Sequence, residues 1–257
     1  CPSGTFNPAF SNVSMCTPWS ECGFDEAEYM PGTALRNRLC VAAGWTRQFG
    51  TSAADEALAV FAGPSTIALG GRTSGALPQQ TFNGGWDAFV QLYDKATGAV
   101  LWTRQFGAAS DDQVSSVSVG GGGDVAVTGH AGLAASGGPV HFLRQYGSDG
   151  SLDWSHNMSW LTAAVTTASD GSVYVAGRVF GTLPGQSSVD AADAVVQKYS
   201  ASGSLLWTRQ FGTSLPDRVL AASAGSDGGV VVAGLTYGAK AATAEEHLKT
   251  ALKLTPD

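Results

Sequence analysis

Six residues, Trp-Thr-Arg-Gln-Phe-Gly, occur three times in this chain, at 45–50, 102–107 and 207–212. A worn copy, Asp153-Trp154-Ser155-His156, lies between the last two. The tryptophans Trp45, Trp102, Trp154 and Trp207 are spaced by 57, 52 and 53 residues. Six identical residues do not recur three times by chance. A period of this size marks a tandem array of like structural units.

Other landmarks keep register with the hexapeptide. An acid follows its glycine by five residues, at Asp55, Asp112 and Asp217; the third unit is shorter there and has Trp160 in that place. Apolar runs at 67–71, 125–129, 173–177 and 230–234 end in Gly71, Gly129, Gly177 and Gly234. Asp87-Ala88-Phe89-Val90-Gln91-Leu92-Tyr93 is echoed by Asp193-Ala194-Val195-Val196-Gln197-Lys198-Tyr199, whereas the second unit has Val140 and His141 in place of Asp-Ala. In the first unit the pattern predicts strands over 57–62, 66–71, 88–93 and 100–106. Each is a β-branched or aromatic run bounded by Gly, Pro, Asp and Ser. Asp149-Gly150, Asp170-Gly171 and Asp227-Gly228 are hairpin signals, because Gly tolerates positive φ. Helical periodicity is absent from the repeats.

A four-stranded antiparallel unit of this length, repeated in tandem, is what a β-propeller blade requires. One such unit cannot cover both its faces, so neighbours bury them against one another. The all-β reading divides the chain into a module at 1–40, propeller repeats at 41–239 and a tail at 240–257. The repeats comprise units 51–107, 108–158 and 159–212 and a partial unit 213–239, about three and a half blades. An incomplete count points to part of a larger ring. The alternative is closure of the fourth unit by the hexapeptide strand at 45–49. The Trp-Thr-Arg-Gln-Phe-Gly strands, the Gly71-Arg72-Thr73 segment and the Asp87–Tyr93 pattern resemble bacterial SBBP-type β-propeller repeats. Glycine is 34 of 257 residues, and the repeats turn that excess into blade punctuation.

All four cysteines, Cys1, Cys16, Cys22 and Cys40, lie in the first 40 residues. An even number in a short Pro/Gly-rich stretch reads as a disulfide framework, and hence an oxidising compartment. Zinc is disfavoured, with no CxxC pair or nearby His. Four cysteines allow three pairings; the sequential one, Cys1 with Cys16 and Cys22 with Cys40, closes two short loops. Cys1-Pro2-Ser3-Gly4, Cys16-Thr17-Pro18-Trp19-Ser20-Glu21-Cys22 and Arg38-Leu39-Cys40 resemble cysteine-rich repeats of tumour-necrosis-factor-receptor and EGF-like type. A Cys at the start also suits a lipid-anchored mature protein. In the tail, Ala244, Leu248, Ala251 and Leu252 share one helical face, Lys249 and Lys253 suit its C-terminal half and Pro256 ends it. That stretch resembles the second helix of a tetratricopeptide repeat.

The chemistry-bearing residues point away from catalysis. The four histidines, His130, His141, His156 and His247, have no metalloprotease spacing, and no nucleophile elbow is present. Net charge is −7 with no basic cluster, which argues against nucleic acid. No apolar run reaches transmembrane length. The recurring acids have two readings: Ca²⁺ ligands, or caps on backbone N–H groups at strand starts. Tyr93-Asp94-Lys95-Ala96-Thr97-Gly98 and Trp102 resemble the tryptophan-docking repeat of quinoprotein dehydrogenases, but no adjacent cysteines accompany it. Arg72, Arg178, Trp86, Asp87 and Asp193 are the candidate ligand-facing rim, since loops on a rigid scaffold carry binding. For the arginines the alternative is a structural ion pair with a nearby Asp. The expected function is a secreted or surface-displayed scaffold binding a protein or glycan, with a structural surface array and a propeller enzyme as alternatives.

Overall fold

The computed structural model describes residues 5–6, 17–18, 26–30, 39–42, 45–133, 138–188, 192–237 and 248–254. The chain divides into two units, 1–47 and 48–257. In the first, β1 (Thr5–Phe6) pairs with β2 (Thr17–Pro18), and β3 (Glu26–Met30) with β4 (Leu39–Ala42). The disulfides expected of Cys1, Cys16, Cys22 and Cys40 lie outside the described side chains.

The second unit is a series of antiparallel sheets with strands in sequence order. Blade 1 holds β5 (Asp55–Ala62), β6 (Thr66–Thr73), β7 (Asp87–Asp94) and β8 (Val100–Phe106). Blade 2 holds β9 (Gln113–Val119), β10 (Val125–Leu133), β11 (Pro139–Tyr146) and β12 (Leu152–Met158). Blade 3 holds β13 (Leu161–Thr167), β14 (Val173–Phe180), β15 (Ala192–Tyr199) and β16 (Leu205–Phe211). Among the described residues blade 4 has three strands, β17 (Asp217–Ala224), β18 (Val230–Thr236) and β19 (Leu248–Leu254). These are β-propeller blades, and no helix is present among the described residues.

β19 corrects the expected helical tail. Its sequence alternates Leu248, Thr250, Leu252 and Leu254 with Lys249, Ala251 and Lys253, a period of two. Pairing with β18 in unbroken register, from Thr236 opposite Leu248 to Val230 opposite Leu254, decides between the two periods. The fourth unit, expected to break off at 239, therefore extends to residue 254 and has a third strand. The hexapeptide at 45–50 belongs to no sheet, contrary to the strand expected there.

Strand position dictates burial. The third strands β7 and β15 are buried along almost their whole length, and β15 has a blade stacked on each face. Consecutive valines then serve opposite faces: Val195 packs towards blade 2 with Leu143 and Val175, and Val196 towards blade 4 with Val219 and Val232. Between blades 1 and 2 the layer is Val90, Leu92 and Trp102 against Val114, Val117 and Val127. Each such buried side chain contributes about 1.5–3 kcal/mol.

The recurring glycine of the second strand lies within the strand, not at its end. A Cβ at Gly71 would stand 1.9 Å from the Glu56 carbonyl oxygen. At Gly129, Gly177 and Gly234 the same atom would meet the carbonyls of Gln113, Leu161 and Arg218 at 1.9–2.0 Å. Each glycine faces an irregularity in the register of the first and second strands, where the first strand bulges into the space of a side chain.

Candidate functional site

Each blade has two unlike ends. First and second strands, and third and fourth, are joined by tight turns such as 63–65 and 95–99. The long connections, 74–86 within blade 1 and 107–112 between blades 1 and 2, share the opposite end. Every candidate rim residue lies at that end.

The hexapeptide glutamine holds the long connection in place. Gln105 Nε2 donates to Asp87 Oδ2 at 2.8 Å and to the Gly75 carbonyl at 3.0 Å, and its Oε1 accepts from Leu77 N–H at 2.9 Å. Gln210 repeats this with Asp193 Oδ2 at 2.7 Å, Gly181 O at 2.8 Å and Leu183 N–H at 2.9 Å. The backbone N–H groups of Gln105 and Gln210 donate to Gln80 and Gln186 Oε1, each at 2.9 Å. The signal for this clamp was a glutamine three residues after each Leu of Leu77-Pro78 and Leu183-Pro184.

The acids bind backbone. Asp55, Asp112 and Asp217 each accept, through Oδ2, the N–H four residues earlier, from Thr51 at 2.6 Å, Ala108 at 2.8 Å and Thr213 at 2.6 Å. Asp87 and Asp112 are wholly buried, and both carboxylates face Gly107: a Cβ there would be 2.4 Å from Asp87 Oδ1 and 2.7 Å from Asp112 Oδ2. Gly212 stands likewise between Asp193 and Asp217. Where Val140 replaces the first acid, Trp160 replaces the second, so the pair is kept or lost together. Burial, reinforced by the Asp87 charge, raises the Asp112 carboxyl above its ordinary value. Among the described residues no three His, Cys, Asp or Glu side chains could together hold a metal ion.

Arg72 and Trp86 do meet: the guanidinium lies 4.4 Å from the centre of the indole ring. It also pairs with Glu56, at 2.8 Å, so its ionic partner is a glutamate and not an aspartate. Nearby, burial lowers the pKa of both His130 and His141, whose rings lie 6.0 Å apart, and for His141 the charge of His130 adds to the effect. His141 Nδ1 accepts from Thr162 N–H of blade 3 at 3.2 Å.

Blades 3 and 4 bring together a second group that the sequence pointed to only through Arg178. A cavity of about 270 Å³ opens between them at the same end, lined by Phe211, Asp217, Arg218, Val219, Val232 and Leu235. Between blades 1 and 2, Phe142, opposite Gly129, meets Phe106 edge-on at 5.5 Å. Arg218 Nε on the cavity wall is buried and has no hydrogen-bond partner. A neighbouring cleft is formed by Arg178, Pro216, Asp217, Arg218 and Tyr237. Arg178 lies 5.2 Å from the Phe180 ring centre, and Phe180 is 65% exposed.

Trp102, Trp154 and Trp207 stand away from this end. Trp102 Nε1 donates to Ser148 O and Trp154 Nε1 to Ala201 O, both at 3.0 Å, each in the tight turn of the next blade. Trp207 packs with Tyr174 at 5.8 Å, and Trp45 falls in the first unit.

No protein-family model matches the chain, and no curated protein matches it. Among solved structures it is similar to a protein of unknown function from Bacteroides caccae, with 10% identity and a TM-score of 0.42 over 84% of this chain and 64% of that one. It is also similar to the β-propeller domain of the Trilobed protease from Pyrococcus furiosus, described as having an open velcro topology. There the identity is 8% and the TM-score 0.45, over 80% of this chain and 59% of that one. The chain thus spans less than two thirds of each.

Proposed function

We propose that the chain is a non-catalytic binding scaffold, displayed outside the cell, that holds an acidic group of a glycan or protein at the long-connection end of blades 3 and 4. The observation that carries this is Arg218, whose buried Nε lacks a partner on the wall of an apolar cavity. Leaving such a donor unsatisfied costs about 1–3 kcal/mol, which a ligand acceptor recovers. A carboxylate is the group that a guanidinium binds with two parallel hydrogen bonds. Phe180 and Tyr237, 65% and 45% exposed, add aromatic surface on which a sugar ring or side chain packs. The extracellular setting rests on the four clustered cysteines.

Calorimetric titration with uronate-bearing oligosaccharides and their neutral counterparts tests the reading. The acidic series should bind and the neutral series should not, and Arg218→Gln should weaken binding tenfold or more. Equal binding of both series, or no effect of Arg218→Gln, contradicts it.

A further inference from the structure

We infer that the seam between blades 2 and 3 is an acid-sensitive joint, in which His141 holds the backbone of blade 3 while its imidazole is neutral and releases it when the ring takes up a proton. The repeat shows what is unusual there. Opposite the recurring glycine of the second strand, β9 and β17 carry Val114 and Val219, whereas β13 carries Thr162. On the third strand, β7 and β15 carry the buried Ala88 and Ala194 where β11 carries His141. Directly across the ladder stand Arg72 in blade 1 and Arg178 in blade 3, but His130 in blade 2. At this level Ala88 packs with Val114 and Ala194 with Val219, so two seams are closed by apolar pairs. The seam between them is closed by a hydroxyl and an imidazole.

The polar pair bonds across the seam. Thr162 N–H donates to His141 Nδ1 at 3.2 Å, and Thr162 Oγ1 donates to the Gly129 carbonyl of blade 2 at 3.3 Å. Because Nδ1 accepts a backbone N–H, the neutral ring carries its hydrogen on Nε2, which is buried. A proton on Nδ1 replaces that acceptor with a second donor facing the Thr162 N–H. The buried N–H then loses its partner, and the contact is destabilised. The ring of His130, 6.0 Å away, adds like charge when it too is protonated.

The surrounding charges set the direction. Burial disfavours the cationic form of both histidines; at His130 the charges of Asp112 and Asp111 oppose that effect and the charge of Arg72 adds to it. At His141 the charge of His130 adds to burial, and the Gly129 carbonyl opposes it. Blade 3 contributes Trp160 and Thr162, neither of them titratable. Both rings therefore charge below the ordinary histidine value of 6.5, and the folded state binds fewer protons than the unfolded one. Their contribution to stability is full above 6.5 and is lost as pH falls through the folded values. The seams on either side have no histidine at these positions, so acid in this range acts on the joint between blades 2 and 3.

Two measurements on the full chain test this. The amide nitrogen shift of Thr162 should titrate with a midpoint below 6.5, and His130→Gln should move that midpoint upward. Melting temperature is then followed from about pH 7.5 to about pH 5 for the wild type and for the double variant His141→Ala/Thr162→Val. The double variant gives this seam the residues of the other two and leaves no buried hydroxyl or imidazole to satisfy. The wild type should lose about 2–4 °C more than the double variant over that range. A Thr162 shift that does not titrate, or that does so at or above 6.5, would overturn the inference. So would a midpoint that His130→Gln leaves in place, or an equal pH dependence of the two melting temperatures.

Discussion

The indole of Trp102 on blade 1 lies against Gly150 in the tight turn of blade 2. A Cβ on Gly150 would stand 2.8 Å from the ring, and the residue has a φ of 78°. The contact is reinforced by Arg104 Nε, which donates to the Gly150 carbonyl at 2.7 Å. Trp154 and Gly203 repeat it between blades 2 and 3, at 2.7 Å and a φ of 84°. The repeated Trp is thus a joint between blades, supported by Arg104 in the first and by His156, 2.8 Å from the Gly203 carbonyl, in the second.

Gly150→Ala strains the backbone and pushes the ring away. It should destabilise by about 1–3 kcal/mol in denaturant unfolding. Gly121→Ala is the control, since nothing lies within 4 Å of its Cβ position, and it should be neutral or slightly stabilising.

Gly129→Ala should be worse. Its Cβ would meet a backbone carbonyl at 1.9 Å, and a backbone cannot rotate aside as a ring can. A loss of about 3 kcal/mol or more, or failure to fold, is expected. Unfolding at or above the midpoint of Gly150→Ala would contradict the bulge explanation.

The strands were legible because repetition averages out local ambiguity: the landmarks of one unit fix those of the next. The tail was not repeated, and seven residues beginning Leu248-Lys249 fit a helical face and an alternating strand equally well. Only register with Val230 and its neighbours, distant in sequence, distinguishes them. Arg178 was legible as half of a repeated pair, but Arg218 was not, because its significance lies in a cavity between two blades that only packing creates.

Asp112 gives a pH signature. Its folded pKa is raised by burial, so the folded state holds the proton more tightly than the unfolded one. That contribution is full below the ordinary carboxylate value of 3.8 and is lost as pH rises through the folded value. Asp112→Asn should therefore gain stability relative to wild type as pH rises from about 4 towards 7. A melting-temperature difference that stays flat over that range would contradict it.

Gln105→Leu removes the clamp on 74–86 and leaves Asp87 Oδ2 with only the Asn83 N–H, at 3.0 Å. It should cost about 1–3 kcal/mol and speed proteolytic cleavage within 74–86. Cleavage at wild-type rate would show that the connection is held by other contacts.

The account of blade 4 rests on β19 being its third strand, paired with β18. Backbone Cα and Cβ chemical shifts across Leu248–Leu254 test this directly. Extended-strand values along the whole segment are predicted, and a run of helical values there would contradict it.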